Sequence, residues 1–258
     1  MGTLNFKPRV PVFDANIGVG HRYDQPAPFN DAAGLLDEMN RHGVGRAVIY
    51  HVQGESISTL QGNEALVEWA HGDTPFSLQW TAGPGEDSLR QLQGFHADGK
   101  VKSVRLHSTD STNLPVSVPF ADWVYGELLE WLTAERLPFW VSLADTPPAE
   151  IMATLRLFPD LVTVLLGAHY RHALLVRPFL KHLPNAHLEL SRYEVPGEIV
   201  ALKDQFGVER LINGSFYPRY AMGPMLYALH HMHLNDTELA AICGGNLERI
   251  LREEAYND

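Results

Sequence analysis

The stretch LLDEMNRHGVGRAVIYHV (35–52) sets the pattern of the whole chain. It continues a segment, 31–41, in which Leu35, Leu36 and Met39 share one face at helical spacing. Gly43 then stands where a C′ glycine ends a helix. A β-rich run, 46–52, follows directly. Helix, glycine stop and strand in close succession are the repeating unit of an α/β protein.

Working outward, the same alternation recurs. Strand-like runs fall at 10–13, 76–80, 102–107, 137–143, 161–166, 185–190 and 209–212. Amphipathic stretches separate them, at 63–70, through Leu89 and Leu92, through Leu128, Leu129 and Leu132, and at 172–181 and 198–206. The tail, 239–251, reads as helical, packing through Ile242, Leu247, Ile250 and Leu251. The run 161–166 is continuously apolar, the mark of a strand covered on both faces. Eight strands alternating with helices in 258 residues predict a single (β/α)8 barrel, the TIM-barrel form of the α/β class, spanning residues 1–258 with a C-terminal helix.

Composition narrows the function. Hydrophobic residues make up 45% and charged residues 20%, an ordinary globular balance. A net charge of −11, with no basic run longer than two, argues against nucleic acid as a partner. Cys243 is the lone cysteine, so neither a disulfide framework nor a cysteine zinc site can form. It fits a reducing cytoplasm, the localisation expected here. No apolar region follows a basic start, Gly2 lacks the serine or threonine of a myristoylation motif, and no run reaches the ~20 apolar residues of a membrane span. The expected partner is a small-molecule substrate, with neither nucleic acid nor membrane; assembly into a homo-oligomer is left open.

Ordered motifs add a resemblance. VFDANIGVG (12–20), VKSVRLHS (101–108), LPFWVSL (137–143), VTVLLGAHY (162–170), LPNAHLELS (183–191) and GVERLINGSFYP (207–218), closed by NLERIL (246–251), are similar in order and kind to the strand motifs of the amidohydrolase-related family of metal-dependent hydrolases and decarboxylases. That resemblance implies a site at the C-terminal mouth of the barrel. It implies metal ligands from a first-strand Asp-x-His-x-His, from histidines on strands five and six, and from an Asp on strand eight. Position by position, those ligands correspond here to Asn16, Gly18, Ser142, His169 and Phe216, so His169 is the single family ligand that remains. One histidine cannot hold zinc against water, and a catalytic site commonly uses three protein ligands. No metal and no cofactor are therefore expected.

The remaining candidates are weighed against structural roles. His51, His107 and His169 all approach the mouth, where they could form a relocated metal site or simply line a pocket. Arg105 lies two residues before His107, so the two could share an inward face and recognise a carboxylate, or both could point outward. His230, His231 and His233 are read as helix surface. Asp145 is read as the N-cap of a helix beginning near Pro147 and Pro148, in preference to a displaced base. Ser191, Arg192, Tyr193, Ser215 and Tyr217 end strands seven and eight and are pocket candidates. The expected function is that of a hydrolase or lyase using His169 and His107 for proton transfer. Its substrate is a small carboxylated or lactone-type molecule held among Asn16, His51, Arg105, Ser142, Arg192, Phe216 and Tyr217. The competing expectation is a non-catalytic ligand- or partner-binding barrel.

Overall fold

A computed structural model describes residues 6–22, 26–70, 75–109 and 118–252. The sequence reading of Gly2 and its neighbours lies outside them. Strand β1 (Phe13–Val19) is followed by helix α1 (Ala32–His42), β2 (Arg46–His51), a short α2 (Val52–Ser56) and α3 (Thr59–Trp69). Next come β3 (Phe76–Leu78), β4 (Trp80–Ala82), α4 (Glu86–Ala97), β5 (Val104–Leu106), α5 (Asp122–Ala134), β6 (Phe139–Ser142), α6 (Pro148–Leu155) and β7 (Thr163–Leu166). The chain closes with α7 (Ala173–His182), β8 (Ala186–Glu189), α8 (Glu198–Phe206), β9 (Leu211–Ile212), α9 (Gly223–His230), α10 (Asp236–Ala240) and α11 (Asn246–Arg252).

Every strand pair is parallel, in the orders β1-β2-β3 and β4-β5-β6-β7-β8-β9. Gln79 joins the two sets. Its N–H donates to the Ile49 carbonyl at 2.8 Å, while that of Trp80 donates to the Ser103 carbonyl at 3.2 Å. β3 and β4 are thus one stave that changes neighbours midway. The other seam closes where Ala15 N–H donates to the Asn213 carbonyl (3.1 Å) and Gly18 N–H to that of Tyr217 (2.7 Å). Counted this way the ring has eight parallel staves, with helices outside it.

Local signals explain the element ends. Asp31 caps α1 by accepting from Gly34 N–H at 2.9 Å, and Gly43, at φ 72°, terminates it in the left-handed region. The hydrophobic core has two shells. An outer shell lies between strands and helices, and an inner one (Phe13, Val48, Trp140, Val164, Ile212) fills the lower barrel, where Leu247, Ile250 and Leu251 of α11 stopper the N-terminal end.

Several expectations need correction. The first strand begins at Phe13 and runs to Val19, because the polar Asn16 and the small Gly18 point inward and do not end the strand. The tail is helical, and a π-helical turn at Ala241–Gly245 lies between α10 and α11. Asp145 caps nothing, since α6 starts from Pro147 without a side-chain cap. His230 is not surface. It is buried, its Nδ1 lies 2.7 Å from the Leu226 carbonyl, and its Nε2 accepts from Arg9 N–H at 3.1 Å, tying the N-terminal segment down.

Candidate active site

The barrel interior changes character above the apolar plug. Arg105 on β5 is 1% exposed and crosses the barrel. One terminal nitrogen donates to Asn16 Oδ1 at 3.2 Å and to Gln79 Oε1 at 3.3 Å, and the other to Glu55 Oε1 at 3.2 Å. Its guanidinium lies 3.5 Å from the centroid of the Tyr50 ring. Glu55, from α2, also accepts from Tyr50 Oη at 3.3 Å and faces Arg22 at 3.7 Å. Strand alternation delivers Asn16, Tyr50 and Arg105 to this layer. The short helix α2, absent from the sequence reading, delivers Glu55.

Two carboxyls lie deeper. Glu189 on β8 accepts from Ser191 N–H (2.8 Å) and Ser191 Oγ (2.9 Å) and faces Asn16 Nδ2 at 3.5 Å. Asp14 accepts on one oxygen from the N–H groups of Asn16 and Ser215, while its Oδ2 has no hydrogen-bond partner. Burial raises the Glu189 pKa to about 7, against the hydrogen bonds that lower it, and Asp14 adds a repulsive contribution. Burial likewise raises Asp14 to about 6. Losing water disfavours the charged form of a carboxyl, so both hold protons far above their ordinary range.

Over this layer Tyr50, Val52 and Phe216 form an apolar lid, with Tyr220 packed against it. This arrangement decides whether the family metal fits. A Cβ on Gly18 would lie 2.9 Å from Val52 Cγ1 and 3.2 Å from Tyr50 Oη, so a histidine has no room there. Asn16 is bonded to a guanidinium, and Phe216 offers no donor. Among the described residues no group of three or more His, Cys, Asp or Glu converges on one point. The donor set does not fit the metal, and His51, His107 and His169 do not assemble a relocated site.

The other candidates are dispersed. His107 does not share Arg105's inward position: its Nε2 is 2.8 Å from Tyr125 Oη on α5. Burial lowers its pKa to about 4 and, with Glu150 nearby, raises that of Tyr125. His107 borders a cleft of about 200 Å³ at the C-terminal ends of β2, β4 and β5, with Gly54, Glu55, Ile57, Thr59, Pro84 and Ser108 around it. His51 accepts from Gln53 N–H at 3.3 Å and starts α2. His169 accepts from Arg171 N–H at 3.2 Å and lies 4.2 Å, ring to ring, from His172, capping a 3₁₀ turn. No hydrogen bond or ring contact joins it to His107 among the described residues. Ser142 Oγ accepts from Ala144 N–H at 3.2 Å. Tyr217 packs outward, its ring stacked 5.9 Å from Phe29. Arg192 lies over the Tyr220 ring at 4.4 Å. The sequence reading did not single out Tyr50, Glu55, Gln79, Tyr125, Asp14 or Glu189. Inward alternation on β8 marks Glu189, whereas a register shift in β1 between Asp14 and Ile17 hides Asp14 from that pattern.

No protein-family model matches the chain, and no curated protein matches its sequence. Solved structures do match. An uncharacterized TIM-barrel protein from Bordetella bronchiseptica superposes with a TM-score of 0.75 at 17% identity, over 95% of this chain and 100% of that one. The fold is a TIM barrel. A 2,6-dihydroxybenzoate decarboxylase from Rhizobium gives 0.74 at 11% identity, over 95% and 99% of the two chains. A 5-carboxyvanillate decarboxylase from Sphingomonas paucimobilis gives 0.71 at 14%, over 94% and 99%. In such barrels the C-terminal mouth is where active sites are built, and here it holds the Arg105 layer, the apolar lid and the His107 cleft.

Proposed function

We propose that this TIM barrel is a divergent amidohydrolase-related protein, a hydrolase or lyase that handles a small carboxylated or lactone-type molecule at its C-terminal mouth without the family's metal. The ordered motifs and the shared fold support the family. The observation that carries the metal-independent reading is the Arg105 guanidinium, bonded to Asn16 and Glu55 and stacked on Tyr50 in the layer where metal ligands would have to stand. A permanent cation fills that layer.

Proton transfer then falls to His107. Burial keeps its imidazole unprotonated at neutral pH, and because Nε2 is bonded to the Tyr125 hydroxyl, a proton taken up there passes through that hydroxyl. A carboxylated molecule in the adjoining cleft adds negative charge, which raises the imidazole pKa toward the range where general-base catalysis is efficient. A second reading, a non-catalytic binding barrel, is favoured by one observation: Tyr50, Val52 and Phe216 pack together as a buried apolar cluster at the mouth.

Screening chelator-treated protein against carboxylated esters, lactones and carboxylated aromatics separates the two readings. Turnover that survives chelation and falls about 10²-fold or more in His107→Asn supports the enzyme. Saturable binding without turnover of any compound supports the second reading. Turnover abolished by chelation and restored by a divalent metal overturns the metal-independent mechanism.

A further inference from the structure

The chain carries a net charge of −11, yet its barrel mouth gathers arginines. Arg192, which follows β8, places its guanidinium 4.4 Å from the Tyr220 ring centroid. Arg219, which follows β9, lies 5.2 Å from the Phe216 ring, and the two rings are 5.9 Å apart in an edge arrangement. Arg171, after β7, lies over Tyr170 at 5.6 Å. Arg192 and Arg171 both lower the pKa of His169, and Arg192 also that of His172, which places these groups within electrostatic reach of one another. Arg219, Arg105 and Arg22 act in the same way on Tyr50. The result is an arc of positive charge along the C-terminal ends of β7, β8 and β9, reaching β2 through Tyr50.

The partners of these cations differ. Arg105 and Arg22 face Glu55. Arg171, Arg192 and Arg219 have no carboxylate within ion-pair distance among the described residues; aromatic faces hold Arg192 and Arg219 in place. Arg192 and Arg219 are also only partly exposed, so they have given up water without gaining a counter-charge. Arg171 spends its Nε on Tyr170 Oη at 3.1 Å, but Arg192 and Arg219, braced on rings at the barrel mouth with no side-chain hydrogen bond among the described residues, suit the planar oxyanion groups that guanidinium binds bidentately.

We infer that this arc is a binding site for a small, multiply charged organic anion, one bearing two or more carboxylate or phosphate groups, with Arg192 and Arg219 as its principal contacts and Arg171 at its rim. The inference rests on the reading that the mouth takes a small molecule, but it requires no turnover. Loss of binding and loss of catalysis are therefore separate results.

Calorimetric titration of the full chain at low salt tests it, with citrate, pyrophosphate, inorganic phosphate and benzoate as probes. Saturable binding of citrate or pyrophosphate, well above that of benzoate, is expected. The better of those two identifies carboxylate or phosphate as the group recognised. Arg192→Gln and Arg219→Gln should each weaken binding about tenfold or more, the scale of a charge-assisted hydrogen bond. Arg156→Gln, exposed at the end of α6, should leave it unchanged. Tyr220→Leu keeps all the charge but removes the plate beneath Arg192, and should also weaken binding, while the melting temperature without anion tells whether each variant is folded. Absence of saturable binding by all four probes overturns the inference. So does equal weakening in Arg156→Gln, which reports bulk charge alone, or a short oligonucleotide that binds more tightly than every small anion.

Discussion

Arg105 shows how much one side chain can organise. It draws on Asn16 of β1, Gln79 between β3 and β4, and Glu55 of α2, and lies flat on Tyr50 of β2. Removing one partner of a buried ion pair strands the other, at a typical cost of ~3–5 kcal/mol. Arg105→Met should therefore lower unfolding stability by about that amount in urea titration, with Glu55 left to Arg22 alone at 3.7 Å. Arg105→Lys should not restore it, because an ammonium cannot bond Asn16 and Glu55 on opposite edges while stacking on a ring. A wild-type-like midpoint for either variant would show that the layer tolerates rearrangement. In the sequence, Arg105 was legible as an inward candidate, but its role was not. The partners that hold it come from four separate elements, and only Asn16 among them was marked by the motif series.

At the level of elements, the close approach of α2 and α3 is the sharpest constraint. A Cβ at Gly62 would lie 2.1 Å from Gly54 N, main chain against main chain, with no flexible side chain to give way. Gly94 in α4 and Gly126 in α5 have nothing within 4 Å of the same added atom. Gly62→Ala should thus destabilise by more than ~1 kcal/mol. Gly94→Ala and Gly126→Ala should stabilise by about 0.4–1 kcal/mol through a stiffer unfolded chain and better helix propensity. Thermal melts of the three variants give the comparison, and the prediction fails if Gly62→Ala melts with the other two. The alternation of strands and helices was readable from 35–52 outward because each helix carries its own apolar stripe and each strand its own β-branched run. What was not readable follows from size and context. α2 is one short turn set by its packing against α3, and β9 has two residues. The apolar run 10–13 outweighed the polar positions of the real β1, whose inward face turns polar where the barrel does.

For the whole molecule, opposing proton equilibria share one pH window. Asp14 and Glu189 have raised pKa values, about 6 and about 7, so their favourable contribution is complete below the ordinary carboxyl range and is lost as pH climbs through those values. His107 and His187, lowered by burial to about 4, behave in the opposite sense: their contribution is complete above the ordinary imidazole value and is lost as pH falls toward 4. The two slopes offset one another in the wild type. Glu189→Gln removes one descending component, so its stability relative to wild type should rise between pH 5 and pH 8, by up to roughly 3 kcal/mol. His187→Gln should show the converse, gaining on wild type as pH drops from 6.5 to 4. Urea midpoints at several pH values measure both, and parallel curves for variant and wild type would contradict the assignment of these buried protons.

The guanidinium inside the barrel also bears on ancestry. If the chain descends from a metal-binding barrel, reversion would have to proceed by simultaneous changes. A histidine at position 18 meets Val52 and Tyr50 unless both are trimmed. An acid in place of Phe216 would break the lid above carboxyls whose pKa values burial has already raised. Metal donors turned inward would face the charge of Arg105, and deleting Arg105 first leaves Glu55 with only the longer contact to Arg22. Each single step back lowers stability before it confers any function, so the internal arginine would act as a ratchet and leave the lineage to explore chemistry available without a supply of metal.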